Sequence, residues 1–459
     1  MDPRLGSCSL DQLRKRTSLK WRAYPADVLP AFVAEMDFDL AEPIVAAATA
    51  AIAAGDCGYA HKGQLGEAFA AFAAARLGWS PDPSLIFGIP DVMTGVAEFV
   101  QAVTPPGAGI VISPPVYPPF FDRLRFADRR IVEAPLSRAD DGRYDLDPEA
   151  LDRALAGDGV HAYLLCNPHN PAGRVWSRQQ LTTVADICLR RGVILLVDEI
   201  HAPLVLPGAR HVAFGSLDHE MTTRSVTFTS ASKAWNTPGL KCGVAVAGSA
   251  GHAELLSERW DALLAGQIGV LAAVAAFTES LPWLDALLGQ LDENRSLLTG
   301  LLSEHLPGVR YLPPEASFLA WLDCRALGLG DDPAAAFLDH GRVALSPGPD
   351  FGVQGLGFAR LNMGTSPELM AEAVRRMAAA VLEGGPHGKL ACDRGFGRPP
   401  CDRPARLVRL GPGLGPAARL PRRVQAHLRV HGPARLRRPQ AGRGRLHDGG
   451  GGGRRDRAR

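Results

Sequence analysis

Cysteine is sparse and poorly placed for bonding. Eight occur in 459 residues (Cys8, Cys57, Cys166, Cys188, Cys242, Cys324, Cys392 and Cys401), with no C-x-x-C pair and no histidines at zinc spacing. A disulfide framework and a structural zinc are thereby excluded as organising devices, and reduced thiols in an apolar core are expected, with no metal. Long apolar runs are also missing: none reaches about 18 residues, which excludes a hydrophobic membrane-spanning helix. The opening MDPRLGSCSL lacks the basic-then-apolar layout of a secretory leader, so the expected location is the cytoplasm, with no membrane partner. Lysine is scarce too, with six (Lys15, Lys20, Lys62, Lys233, Lys241, Lys389) against 44 arginines.

What is present fits a globular enzyme-sized chain: 46% hydrophobic and 21% charged residues, with 17 Phe. The net charge of +2 conceals two unlike segments. Residues 386–459 hold 19 Lys plus Arg against 4 Asp, a net of +15, which leaves 31 basic and 44 acidic residues and a net of −13 for 1–385. An acidic body is unsuited to gripping nucleic acid, so no nucleic-acid partner is expected for it. The tail has no Ser, Thr, Asn, Glu, Ile, Met, Tyr or Trp, but 18 Arg, 14 Gly and 9 Pro, and such a chain cannot bury a core. It reads either as a disordered basic arm for nucleic acid or acidic partners, or as a GC-rich gene translated out of frame. The second is favoured, because the vocabulary is nearly confined to residues with GC-rich codons and the preceding helix ends naturally at Glu383-Gly384-Gly385.

The body alternates strand and helix signals, which predicts an α/β architecture with a mainly parallel sheet. Residues 109–113, 160–166, 192–199 and 225–229 read as buried strands. Ser177-Arg178-Gln179-Gln180 resembles a capping box that opens a helix to about Arg191, closed by Gly192. Ala- and Leu-rich residues 252–280, continued by 284–305, predict a helix spanning two domains. The segment 309–324 and a terminal helix from about Pro367 to Leu382 fit a smaller α+β domain.

Polar residues cluster where these strands end, and ligands of open parallel sheets bind beyond the carboxyl ends of strands. Residues 160–166 run into Asn167-Pro168-His169-Asn170-Pro171-Ala172-Gly173, the third strand ends on Asp198-Glu199-Ile200-His201, and SVTFT runs into Ser230-Ala231-Ser232-Lys233. An amide, a carboxylate and an amine converge on one edge. In a chain so poor in lysine, Lys233 is not casual composition, and lysine can form a Schiff base where arginine cannot.

These motifs, in this order and about 30 residues apart, resemble the fold type I pyridoxal phosphate (PLP) enzymes related to aspartate aminotransferase. Further stretches resemble the MalY/PatB-type carbon–sulfur lyases of the cystathionine beta-lyase kind: Lys20-Trp21, LPAFVAEMDFDLAEPI, CGYAHKG, PPVYPPF, CNPHNPAGRVW, VDEIHAPL and SASKAWNTPGLKCG. The resemblance covers about 10–385. It implies a large PLP-binding domain over 46–280, a small domain from 281–385 together with an arm at 1–45, and a tail at 386–459 outside both.

The resemblance also implies roles. Lys233 would carry the cofactor as a Schiff base and, once displaced, remove the substrate Cα proton. Asp198 would pair with the pyridine nitrogen, Asn170 with the phenolic oxygen, and Tyr117 would stack on the ring. The phosphate would be held by Ser230, Ser232, Lys241 and backbone donors at Val92 and Met93, although GIPDVMTGV departs from the family's small-residue phosphate loop. Tyr59 would reach the phosphate of a neighbouring subunit, which implies a homodimer with shared active sites. Arg360 would grip the substrate α-carboxylate with a bidentate fork. Asn167 is read as a turn former, and His169 and His201 as supporting residues.

The reaction these features favour is β-elimination from L-cystathionine or a related cysteine S-conjugate, giving pyruvate, ammonia and a thiol such as homocysteine. The alternative is a class I/II aminotransferase, since the same residues serve both. A third hypothesis makes the basic tail a nucleic-acid or partner-binding module on an enzymatic platform, against which the acidic body argues.

Overall fold

The buried strands assemble into a seven-stranded sheet in the computed structural model, which describes residues 5–6, 8–61, 63–259 and 264–384. Across the sheet the order is Ile86–Ile89, Gly243–Ala247, Ser225–Thr229, Ile194–Asp198, Val160–Cys166, Gly109–Ile112 and Arg130–Glu133. Gly243–Ala247 runs antiparallel to both neighbours, and the other pairings are parallel. Side chains alternate between two apolar layers, as a sheet covered on both faces requires. Ala162, Leu164 and Cys166 join Phe99 and Phe120 on one side, while Tyr163 and Leu165 join Val184 and Leu195 on the other.

The capping signals act where the sequence placed them. Ser177 Oγ accepts from Gln180 N at 3.2 Å, Gln180 Oε1 accepts from Ser177 N at 2.8 Å, and Gly192 ends the helix Arg178–Arg191 at φ 68°.

A second, antiparallel sheet of four strands orders Arg310–Tyr311, Leu319–Asp323, Phe358–Asn362 and Ser346–Pro347. Leu29–Pro30 pairs in parallel with Val343–Ala344, which ties the beginning of the chain to this part. The result is a smaller α+β layer drawn from both ends of the body.

One expectation is corrected. The Ala/Leu-rich region is not one long helix but Ala250–Glu258, Gln267–Glu279 and Leu281–His305, the last two meeting at 78°. Pro282 lacks the N–H needed to continue a helix through this point, and Ser280 Oγ donates to the Ala275 carbonyl at 3.0 Å while its own carbonyl accepts from Trp235 Nε1 at 3.1 Å. Composition hid the break because the helices on both sides of it bury apolar residues in one layer. Among the described residues no single helix is long and apolar enough to cross a membrane. The expectations for residues 386–459 fall outside the described residues.

Candidate active site at the strand ends

Three neighbouring strands deliver the polar cluster to one cavity of about 240 Å³, lined by Asn170, Asp198, His201, Ser230, Ser232 and Lys233 among others. Lys233 sits on the single turn Ala231–Ala234, whose N-cap Ser230 follows directly on the strand Ser225–Thr229. Its Nζ donates to the Ala34 carbonyl at 3.0 Å and makes no ion pair among the described residues. Burial and then the Arg360 cation lower its pKa from 10.5 to about 8, against the pull of Asp198. A fraction of the amine is therefore neutral, and nucleophilic, near physiological pH.

Asp198 closes the strand Ile194–Asp198 and is 3% exposed, its carboxylate accepting one hydrogen bond among the described residues, from Ile200 N at 3.0 Å. Burial raises its pKa to about 7, and Lys233 and that N–H only partly offset this. A buried carboxylate so poorly compensated is a demand for a protonated nitrogen.

Arg360 comes from the other sheet. Its Nη1 donates to Asn170 Oδ1 at 3.0 Å, its Nη2 to Ser346 Oγ at 3.1 Å and to the Phe32 carbonyl at 3.3 Å. All three partners are neutral. The guanidinium lies 4.9 Å from the Phe351 ring centroid, and burial lowers its pKa to about 10. A buried cation held only by neutral acceptors is suited to a carboxylate.

An anion cradle lies at the same cavity. Asp91 caps the helix Val92–Val103 by accepting from Thr94 N at 2.8 Å, which leaves the Val92 and Met93 N–H groups without intrahelical acceptors. Lys241 reaches over from φ 57° to pair with Asp91 at 3.1 Å. Burial opposes it, but Thr94 N–H and Lys241 hold the Asp91 carboxyl below its ordinary pKa. The Ser230 hydroxyl accepts from Ser232 N at 3.0 Å and donates to the Cys242 carbonyl at 2.7 Å, so its proton is committed within the protein.

Tyr117 lines the cavity, and burial pushes its phenol up to about 12, so it stays protonated. Tyr59 stands apart from this group: it is 93% exposed and does not line this cavity.

Some of the cavity was only partly legible in the sequence, where His201 is read as a supporting residue. His201 lines it, with burial and then the Lys233 and Arg360 cations lowering its pKa to about 3, so the ring is neutral. Its place three residues beyond Asp198, at the strand end, was the available signal. Asp91, the N-cap of the helix Val92–Val103, was not singled out in the sequence. Asn167, expected to form a turn, lies in the bend after the strand and also buries its amide, donating to Glu199 Oε1 at 2.9 Å and to the Val212 carbonyl at 3.1 Å and so bracing the residue next to Asp198. His169 is a supporting residue, its Nε2 2.9 Å from the Pro115 carbonyl.

The family model for aminotransferase class I and II matches residues 52–377, and the chain belongs to that family. Within it, a Mycobacterium leprae protein provisionally named a cystathionine beta-lyase is 43% identical over 82% of this chain and 98% of its own. Cystathionine beta-lyase PatB of Bacillus subtilis is 37% identical over 77% of this chain and 93% of its own. Among solved structures, cystalysin from Treponema denticola, which contains a pyridoxal 5'-phosphate cofactor, superimposes with a TM-score of 0.78 at 26% identity, over 83% of this chain and 98% of that one. The residues at this cavity fit that group: a depressed amine, a carboxylate in want of a cationic nitrogen, an aromatic wall and an anion cradle.

Proposed function

We propose that this chain is a PLP-dependent carbon–sulfur β-lyase that cleaves L-cystathionine or a related cysteine S-conjugate to pyruvate, ammonia and a thiol. The observation that carries the reading is Lys233, whose amine has no ion-paired carboxylate among the described residues, has a pKa lowered to about 8 and lines the same cavity as the poorly compensated Asp198. When bound, pyridoxal phosphate supplies an electron sink for the charge left at the substrate Cα.

The protein's own groups do the rest. Lys233 would anchor the cofactor aldehyde and, once freed by the substrate amine, would be placed to take the Cα proton. Asp198 would keep a proton on the ring nitrogen, and Asn170 would bond the phenolic oxygen. Tyr117 would pack on the ring, while Val92 N, Met93 N, Ser232 and Lys241 would take the phosphate. Ser230 holds the turn that presents Lys233 and Ser232. Arg360 exchanges the Phe32 carbonyl for the substrate carboxylate, which fixes the Cα–H bond toward Lys233. The Cβ–S bond then breaks with its electron pair going to sulfur, Lys233 returns a proton to the thiolate, and water converts the remaining enamine to pyruvate and ammonia.

We assign 46–280 to the cofactor-binding domain, and 1–45 with 281–385 to the small one. Tyr59, exposed on the single chain, serves the phosphate of a second copy, so the working unit is a homodimer. The six described cysteines are unpaired, in keeping with a cytoplasmic location.

Incubating holoenzyme with L-cystathionine, without a keto acid, tests the reaction. Repeated release of pyruvate and thiol in equal amounts is expected. No pyruvate, with one round of conversion of the cofactor to its amine form, would make the protein an aminotransferase.

A further inference from the structure

Two stretches of chain meet at Arg360, and strand registers bring them there. Ser346 stands directly opposite Arg360 in the antiparallel pair of Ser346–Pro347 with Phe358–Asn362. Leu29–Pro30 runs parallel to Val343–Ala344, Ala31 N donates to the Ala344 carbonyl at 2.9 Å, and the Ala31 carbonyl accepts from Asn362 N at 2.9 Å. These ladder bonds fix Phe32, the next residue, against both Ser346 and Arg360.

The contact is a closed triangle. Ser346 Oγ donates to the Phe32 carbonyl at 2.7 Å and accepts from Arg360 Nη2 at 3.1 Å, and the same Nη2 reaches the Phe32 carbonyl at 3.3 Å. A hydroxyl has one proton to give and lone pairs to spare, so giving the proton to the carbonyl leaves the oxygen free to hold the guanidinium. The carbonyl is therefore held closely by the serine and loosely by the arginine. On the other side, Asn170 Oδ1 takes Nη1 at 3.0 Å and the Phe351 ring lies 4.9 Å from the guanidinium, which fixes its plane. Nε, on the same edge as Nη2, is buried without a hydrogen-bond partner among the described residues, a gap that a bidentate carboxylate on that edge fills.

We propose that Ser346 is a positioning residue for the substrate: its hydroxyl holds Nη2 and keeps the Phe32 carbonyl bonded while Arg360 passes from that carbonyl to the substrate α-carboxylate. This role rests on the reading of Arg360 as the receiver of that carboxylate. Without the hydroxyl, every capture of a carboxylate strips the Phe32 carbonyl of its last donor among the described residues, and a part-buried acceptor left unbonded costs more than the bond itself contributes. Part of the selectivity for ligands that carry a carboxylate is then lost.

Titration of the holoenzyme with glycine, which carries a carboxylate but no leaving group, tests this, with methylamine as the same amine lacking the carboxylate. Both are followed by the absorbance of the bound cofactor. Ser346→Ala should weaken glycine binding at least about fivefold and leave methylamine binding within about twofold of the parent. Ser346→Thr keeps a hydroxyl and should bind glycine as the parent does. Parent-like glycine affinity in Ser346→Ala, an equal loss for glycine and methylamine, or the same loss in Ser346→Thr would each overturn the assignment. Equal affinity of the parent for the two ligands would remove the carboxylate role of Arg360, and the role of Ser346 with it. Glycine has nothing to eliminate, so these readouts stand whether the protein proves a lyase or an aminotransferase.

Discussion

Among the described residues two lysines have their amines inside the protein, and they are treated oppositely. Lys20 is 1% exposed and pairs with Asp37 at 2.7 Å, with the Glu35 carbonyl at 3.0 Å as a second acceptor. Lys233 has a carbonyl at the same 3.0 Å but no carboxylate bonded to it, and it lines a cavity. The first arrangement completes the charge within the chain and fixes the N-terminal arm. The second leaves the charge incomplete, so burial outweighs the pull of Asp198 and Glu35 and the amine becomes easier to deprotonate. The arginines repeat the contrast, with Arg138, Arg174 and Arg325 set on carboxylates and Arg360 set on an amide, a hydroxyl and a carbonyl. Internal neutralisation thus separates Lys20 from Lys233 and Arg360, although Lys241, paired with Asp91, and the buried Arg129, held by Thr104 and backbone carbonyls, do not follow the same division.

Substitutions that remove one member of each pair separate the two kinds most sharply. Lys233→Ala should lower turnover by at least about 10³-fold, the contribution of a positioned base and anchor, and abolish the lysine-bound cofactor absorbance. Denaturant unfolding of the apoprotein should show stability equal to or above that of the parent, because an unfavourably buried amine is gone. Lys20→Met should do the reverse: it strands Asp37, costs about 3–5 kcal/mol in the same unfolding measurement, and leaves kcat per folded holoenzyme nearly unchanged. Should Lys20→Met instead cost activity without stability, the contrast breaks.

A smaller effect is expected at Arg360→Lys, which keeps the charge and loses the fork. Steady-state kinetics should show kcat/KM down roughly 100-fold, or about 2.7 kcal/mol, carried mainly by KM. The mildest test is pH. Because Lys233 must be neutral to capture the cofactor aldehyde, and its pKa is lowered from 10.5 to about 8, the capture rate should climb with pH up to about 8 and then level. An amine treated like an ordinary surface lysine would keep climbing toward 10.5.

How far all this could be read in advance follows the same division. Strand ends with their polar residues were legible, since Asp198, Asn170 and Lys233 lie within a few residues of apolar runs that sequence patterning marks well. The family model and the parallel sheet bear out the fold read from them. The acceptors that hold the cations were not legible. Phe32 and Ala34 offer only backbone carbonyls, from a segment about 200 residues before Lys233, and no side-chain type records that. The break at Ser280 was hidden by uniform Ala/Leu composition, although Pro282 was in plain view. Asn167 illustrates a third case: the residue stood out, but its buried bond to Glu199 exists only once two parallel strands are aligned.

Reductive labelling tests the contrast most directly. Apoprotein is mixed with one equivalent of pyridoxal phosphate, reduced with borohydride, digested and mapped by mass spectrometry. The phosphopyridoxyl group should be found on Lys233, at about one per chain, with Lys20 unmodified. A label spread over the exposed lysines, or one that spares Lys233, would contradict the claim that an uncompensated amine marks the working site.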